Sequence, residues 1–182
     1  HVVEQNEVAD LKSSGKLEFG QLPALECNGK FYVQTFAIET FLSKKFKLLG
    51  STPEEEYEIL NLIASREDIF TPARMVFFPM TDDEKNNLDK NKSDLIEKLV
   101  QLLKVYERKL TSGKGNYLVG DKFSLGDIYV TVFIHVVFFN ASRKDEFGPI
   151  LTQNAPKLEE YVKRISQNEL VEFFKSFFEE SF

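Results

Sequence analysis

A chain of 182 residues that is 42% hydrophobic, with 18 Phe, is long enough for one generous domain or two small ones and can build a real core. Its formal net charge of −6 argues against a nucleic-acid-binding surface, since no basic stripe is available to neutralise phosphates. The single cysteine, Cys27, excludes an internal disulfide framework and suits a reducing, cytoplasmic compartment, and two histidines make no metal site.

The chain opens on a strand-like pattern, His1-Val2-Val3-Glu4, without Met, and we expect further sequence upstream of it. Glu7 to Lys12 follows as a weak helical turn that ends at Ser13-Ser14-Gly15, where small residues favour a loop. Gln21-Leu22-Pro23 is a Pro turn leading into a short strand at Ala24-Leu25. Asn28-Gly29 signals a type I′ hairpin, and Phe31-Tyr32-Val33 reads as the returning strand. Gln34-Thr35 then opens a helix with Thr35 as N-cap and an apolar stripe of Phe36, Ile38, Phe41, Leu42 and Phe46. Leu49-Gly50-Ser51-Thr52-Pro53 marks a break, with Gly as a helix stop, Thr52 as a cap and Pro at the next helix start.

Beyond that break the period is helical almost throughout: Glu54 to about Phe78, Asp82 to Thr111, Leu125 to Phe139, Pro156 to Ile165 and Leu170 to Phe178, with no second sheet visible. The longest apolar stretch, Ile128 to Phe139, is interrupted by Thr131 and His135 and is too short to span a bilayer. It reads as a buried core helix, and no membrane partner is expected. The pattern therefore predicts an α+β chain in two domains, a small α/β unit over 1–48 and an all-helical unit over 53–182.

Most residues that invite a chemical role have a plainer reading. Ser124-Leu125-Gly126-Asp127 is a capping-box variant in which Asp127 reaches back to the cap while Ser124 caps forward, a structural device rather than an acid/base pair. His135 reads as a hydrogen-bonded core histidine, and Cys27, at a strand end with no basic neighbour in sequence, as a structural thiol. Asp82 to Lys92 is acidic and Asn-rich but lacks the mid-loop Gly of a calcium hand. Phe173, Phe174, Phe177 and Phe178 form an amphipathic stripe that suits core cover.

The stretch FGQLPALECNGKFYVQTFAIETFLSKKF, residues 19–46, resembles the glutathione-binding portion of cytosolic glutathione transferases, most closely the sigma class. The resemblance covers nearly the whole chain, from the family's second strand onward. It implies a partial thioredoxin-like domain over 1–48, incomplete at its N-terminus, followed by an all-α helical-bundle domain over 53–182. It further implies glutathione as co-substrate, no metal, an apolar electrophile as the second substrate and a homodimer.

Residue by residue, the resemblance implies a cis-proline at Pro23 that turns the backbone of Leu22 toward the cysteinyl unit of the tripeptide, with Gln21 helping to hold the glutathione backbone. Without it, Pro23 would be read as an ordinary trans proline at a strand edge. Gln34 and Thr35 match the family's Gln-Ser pair, which holds the γ-glutamyl carboxylate; a helix start is a natural anion site, although Gln-Thr is equally an ordinary cap. Asp68 lies where the sigma class carries an Asp that reaches across the dimer to the γ-glutamyl ammonium, against the plain reading of a solvated charge. Met75, on the same face, would line a pocket for an apolar co-substrate or simply join the core. Lys12 and Lys16 compete for a glycyl-carboxylate contact, and Lys12 is favoured.

The family's catalytic Tyr sits on a first strand that these residues do not include, so the resemblance assigns no catalytic residue here. That Tyr hydroxyl would stabilise the glutathione thiolate by hydrogen bonding to the sulfur. Two alternatives stand beside the transferase: a non-catalytic dimerisation or assembly module on the same fold, and a glutathione-dependent isomerase such as prostaglandin D synthase.

Overall fold

In the computed structural model, residues 5–113 and 115–171 are described. The strand pattern of residues 1–4 and the Phe173 to Phe178 stripe lie outside them, and the final helix pattern is covered only at Leu170 and Val171. The chain divides into two compact units, His1–Leu48 and Leu49–Phe182.

In the first unit, helix α1 (Gln5–Ser13) is a full element rather than a turn. Strands β1 (Ala24–Cys27) and β2 (Lys30–Val33) pair antiparallel, with Ala24 opposite Val33 and Cys27 opposite Lys30. Asn28 and Gly29 both take positive φ, 52° and 74°, which is the type I′ geometry that Asn-Gly favours because it matches the right-handed twist of the strands. Helix α2 (Thr35–Lys45) is tied to the hairpin by Tyr32 stacking on Phe41 at 4.7 Å.

The second unit is helical: α3 (Pro53–Ala64), α4 (Glu67–Phe77), α5 (Asp82–Asn86), α6 (Leu88–Ser112), α7 (Leu125–Ile134), α8 (Lys144–Asn154) and α9 (Pro156–Gln167). Thr52 caps α3 by accepting from the Glu55 N–H, with Pro53 at its first position. Leu95, Leu99, Leu103 and Tyr106 form the buried stripe of α6, and Val130 and Ile134 of α7 and Leu158, Val162 and Ile165 of α9 join the same core. Asp127 is completely buried and accepts from Leu118 N–H at 2.9 Å, Ser124 N–H at 2.7 Å, Ser124 Oγ at 2.9 Å and the Tyr161 hydroxyl. Burial pushes its carboxyl above the usual range, against the pull of those bonds. Burial and the neighbouring Asp127 likewise push the Tyr161 hydroxyl up.

Within the second unit, four features differ from the sequence pattern. The helix read as continuous to Phe78 breaks at Ser65-Arg66, where Ser65 Oγ donates to the Leu62 carbonyl at 2.6 Å and lies 2.7 Å from the Tyr106 hydroxyl. A side chain that bonds the backbone this way competes with the helical ladder. The next helix is interrupted at Asn87, whose amide donates to the Asp83 carbonyl at 2.9 Å.

Helix α8 has no counterpart in the pattern, and it holds Gly148 and Pro149 in its interior. Burial of Phe147 and Leu151 sustains it. His135 is not in the core: it is exposed at the start of a π-helical turn, His135–Phe139, with its Nε2 2.7 Å from Ser166 Oγ.

Candidate functional site

Leu17, 4% exposed, anchors the loop before β1, and the Gly20 N–H donates back to its carbonyl at 2.8 Å with Gly20 at φ 68°. This turn delivers Gln21 and then the Leu22–Pro23 bond, which is cis, the isomer that the resemblance implies. Gln21, Leu22 and Pro23 are all exposed.

On the other side of the hairpin, β2 runs into Gln34, which sits at φ 72° and ψ 115°. That is backbone space that L side chains rarely enter. Its carbonyl still accepts from the Ile38 N–H at 2.9 Å, so Gln34 and not Thr35 is the N-cap; Thr35 is already the first helical residue. The Gln34 side chain makes no capping bond, and the first turn of α2 carries no acidic residue. The first N–H groups of α2 are therefore not capped by the Gln34 side chain, and they lie beside the exposed side chains of Gln34 and Thr35.

A cleft of about 1050 Å³ opens between α1 and β1. Glu7, Asp10 and Leu11 of α1, with Ser14 just past its end, form one wall, and the run from Leu22 to Glu26, with Phe31, forms the other. Leu22 and Pro23 thus face the cleft, whereas Gln21, Gln34 and Thr35 do not line it. Neither does Lys12, exposed in the last turn of α1; Lys16 does, with its Nζ 4.9 Å from the centre of the Phe31 ring.

Asp68 belongs to the second unit. It is exposed in the first turn of α4 and makes no ion pair among the described residues, while the neighbouring Arg66 and Glu67 pair at 3.0 Å. Met75 is half-buried on the same helix. Among the described residues no cluster of three or more His, Cys, Asp or Glu side chains could hold a metal ion, and no helix is long and apolar enough to cross a membrane.

Two features of this region were missed in sequence. The positive φ of Gln34 carries no sequence signal, because Gln is not a residue that favours it. The cleft-facing side of α1 does carry one: Glu7, Asp10 and Leu11 follow the i, i+3, i+4 spacing of a single helix face.

Comparison with known proteins gives a concordant picture. The family model described as "Glutathione S-transferase, C-terminal domain" matches residues 67–176. A probable glutathione S-transferase 5 of Caenorhabditis elegans is 34% identical over 136 residues, covering 70% of this chain and 62% of that protein. The chain thus spans less than two thirds of that relative's length. Among solved structures, a major nematode-specific GST of C. elegans aligns with a TM-score of 0.67 at 26% identity, over 91% of this chain and 81% of its own. Rat hPGDS complexed with a quinoline aligns with a TM-score of 0.71 at 20% identity, over 96% of this chain and 80% of its own, a likeness of fold alone.

Proposed function

Because this chain belongs to the glutathione S-transferase family, we propose that it is a sigma-like transferase subunit that binds glutathione and adds the thiolate to small apolar electrophiles. In this reading residues 1–48 form the glutathione-binding domain and residues 53–182 hold the electrophile. Glutathione is the co-substrate, no metal takes part, and the protein works as a cytoplasmic homodimer in detoxification.

The γ-glutamyl carboxylate is held by Gln34, Thr35 and the N–H groups that open α2, where the helix dipole favours an anion. The main chain of Leu22, at the Pro23 turn, pairs with the cysteinyl unit, Gln21 steadies the tripeptide, and Lys12 meets the glycyl carboxylate. Asp68 of a second copy meets the γ-glutamyl ammonium, which couples binding to dimerisation. No residue of this chain is assigned to activate the sulfur.

The observation that carries this reading is Gln34. A non-glycine residue held at φ 72° stands at the start of α2, where its own side chain makes no capping bond. Backbone strain of this kind clusters at ligand clamps, and an uncapped helix start is suited to a carboxylate.

A glutathione-affinity column combined with a conjugation assay using a chromogenic aryl halide tests it. Retention with turnover supports the transferase, and loss of both rejects it. Retention without turnover supports the second reading, a non-catalytic binding or assembly module. In titration calorimetry, Gln34→Ala and Asp68→Ala each weaken glutathione binding by about fivefold or more, the equivalent of one lost hydrogen bond. Wild-type affinity in both variants refutes the site assignment.

A further inference from the structure

Arg143 stands at the entry to α8, and its half-buried guanidinium is held on two sides. It lies over the Phe77 ring, 4.0 Å from the ring centre, and its Nη1 donates to the Val136 carbonyl at 2.9 Å. Phe77 is itself braced edge-on by the buried Phe147 at 5.4 Å. A guanidinium carries more N–H donors than one carbonyl accepts, and among the described residues Arg143 has no carboxylate partner. It is a cation fixed in place by packing rather than by an ion pair.

Exposed apolar side chains accompany it. The Phe78 ring centre is 5.9 Å from the Arg143 Cζ, and Phe78, Met80 and Val136 are 66%, 75% and 52% exposed. The segment that presents Phe78 and Met80 is stiff: Pro79 lies between them, and the Met80 N–H donates to Glu84 Oε2 at 2.7 Å. The acids nearby are already committed. Glu84 pairs with Arg74 and Glu146 with Lys92 at 2.8 Å, while the exposed Lys144 and Asp145 offset each other. An exposed apolar patch around a fixed cation suits a ligand that is apolar with one acidic end.

We propose that this patch binds an aromatic carboxylate, with the acid on the remaining N–H donors of Arg143 and the ring over Phe78, Met80 and Val136. The planar guanidinium fork matches two carboxylate oxygens, and a fork already locked by Phe77 and Val136 loses little freedom when it binds. The exposed Phe78 ring favours an aromatic body, through stacking or edge contact. Resting on the transferase reading, this site narrows the second substrate to an aromatic electrophile that carries an acid group. Met75, one turn before Phe78 on α4, lies on the same side of that helix.

Equilibrium dialysis of the full chain against naphthoate, and against its neutral counterpart naphthamide, tests the site without requiring turnover. The acid should bind about tenfold tighter than the amide, the discrimination that one charge-assisted hydrogen bond supplies. Arg143→Gln should bring the two ligands within about twofold of each other, and Arg143→Lys, which keeps the charge but not the fork, should fall between. Phe78→Ala removes an exposed ring, so it should keep the thermal midpoint and weaken both ligands together. No binding at millimolar naphthoate, equal affinity for acid and amide, or undiminished acid selectivity in Arg143→Gln overturns the proposal. If that variant unfolds, Arg143→Lys and Phe78→Ala decide it by the same comparison. Acid selectivity that disappears as protein concentration rises also overturns it, because a second copy then occupies the patch. A chain that keeps its acid selectivity yet conjugates no aryl halide rejects the transferase reading and leaves the site standing.

Discussion

Replacing Gln34 by Gly separates what the backbone costs at this position from what the side chain does. The residue is held at φ 72° and ψ 115°, and its side chain makes no capping hydrogen bond. A sparsely populated backbone conformation of this kind costs about 1–3 kcal/mol, and glycine relieves it. Against that relief stands glycine's larger loss of chain freedom on folding, about 0.5–1 kcal/mol. The difference makes Gln34→Gly more stable than wild type by about 1 kcal/mol, which for a chain of this size raises the thermal midpoint by about 2–4 °C. Gln34→Ala keeps a Cβ and therefore the strain, and should lie within about 0.5 kcal/mol of wild type. Urea denaturation followed by circular dichroism, with the slope held constant across the three proteins, reads the difference directly. Both variants should also lose glutathione affinity, so the glycine protein is expected to be more stable yet worse at binding. A glycine variant no more stable than the alanine variant refutes the strain argument.

The buried polar groups of the second unit give further tests. Ser124→Ala should cost about 1 kcal/mol, and Asp127→Ala at least about 3 kcal/mol, because the latter strands the donors of Leu118, Ser124 and Tyr161; a cost below 1 kcal/mol for Asp127→Ala contradicts the network. Thr131 is completely buried and its Oγ1 has no partner among the described residues, so Thr131→Val should stabilise the protein by roughly 1 kcal/mol in thermal unfolding, and a destabilised variant would show the hydroxyl to be satisfied. Hydrogen bonds from Arg74 first, and then from the Met80 N–H, hold Glu84 down at about 2 against an ordinary value of 4.5. A depressed carboxylate contributes stability above its unfolded value that is lost as pH falls through its folded value, so Glu84→Gln should flatten the stability profile between about pH 4.5 and 2. Asp127, raised by burial, tilts the profile the other way, so the comparison of interest is the difference between Glu84→Gln and wild type.

What was legible in the sequence is what local chemistry dictates. Asn28-Gly29 specifies a type I′ turn because both positions must take positive φ, and the structure has both. Thr52-Pro53 specifies a helix start, and Ser124 with Asp127 specifies the entry into α7, because each satisfies backbone groups within one turn of itself. At the candidate site, the turn at Gln21-Leu22-Pro23 and the helix opening at Gln34-Thr35 could be marked from the same local signals and from the family resemblance.

Tertiary structure decided the rest, because the deciding partner lies far along the chain. The helix break at Ser65 is stabilised by Tyr106, 41 residues away. Helix α8 survives Gly148 and Pro149 because its Phe147 and Leu151 are buried in a core that no local window contains. His135 follows an apolar helix yet meets solvent, and the Ser166 hydroxyl beside its ring is 31 residues away. Gln34 gives the sharpest contrast. Its identity was visible as a candidate ligand contact, but its positive φ goes with a connection in which β2 ends at Val33 and α2 begins at Thr35, leaving the chain a single residue in which to turn.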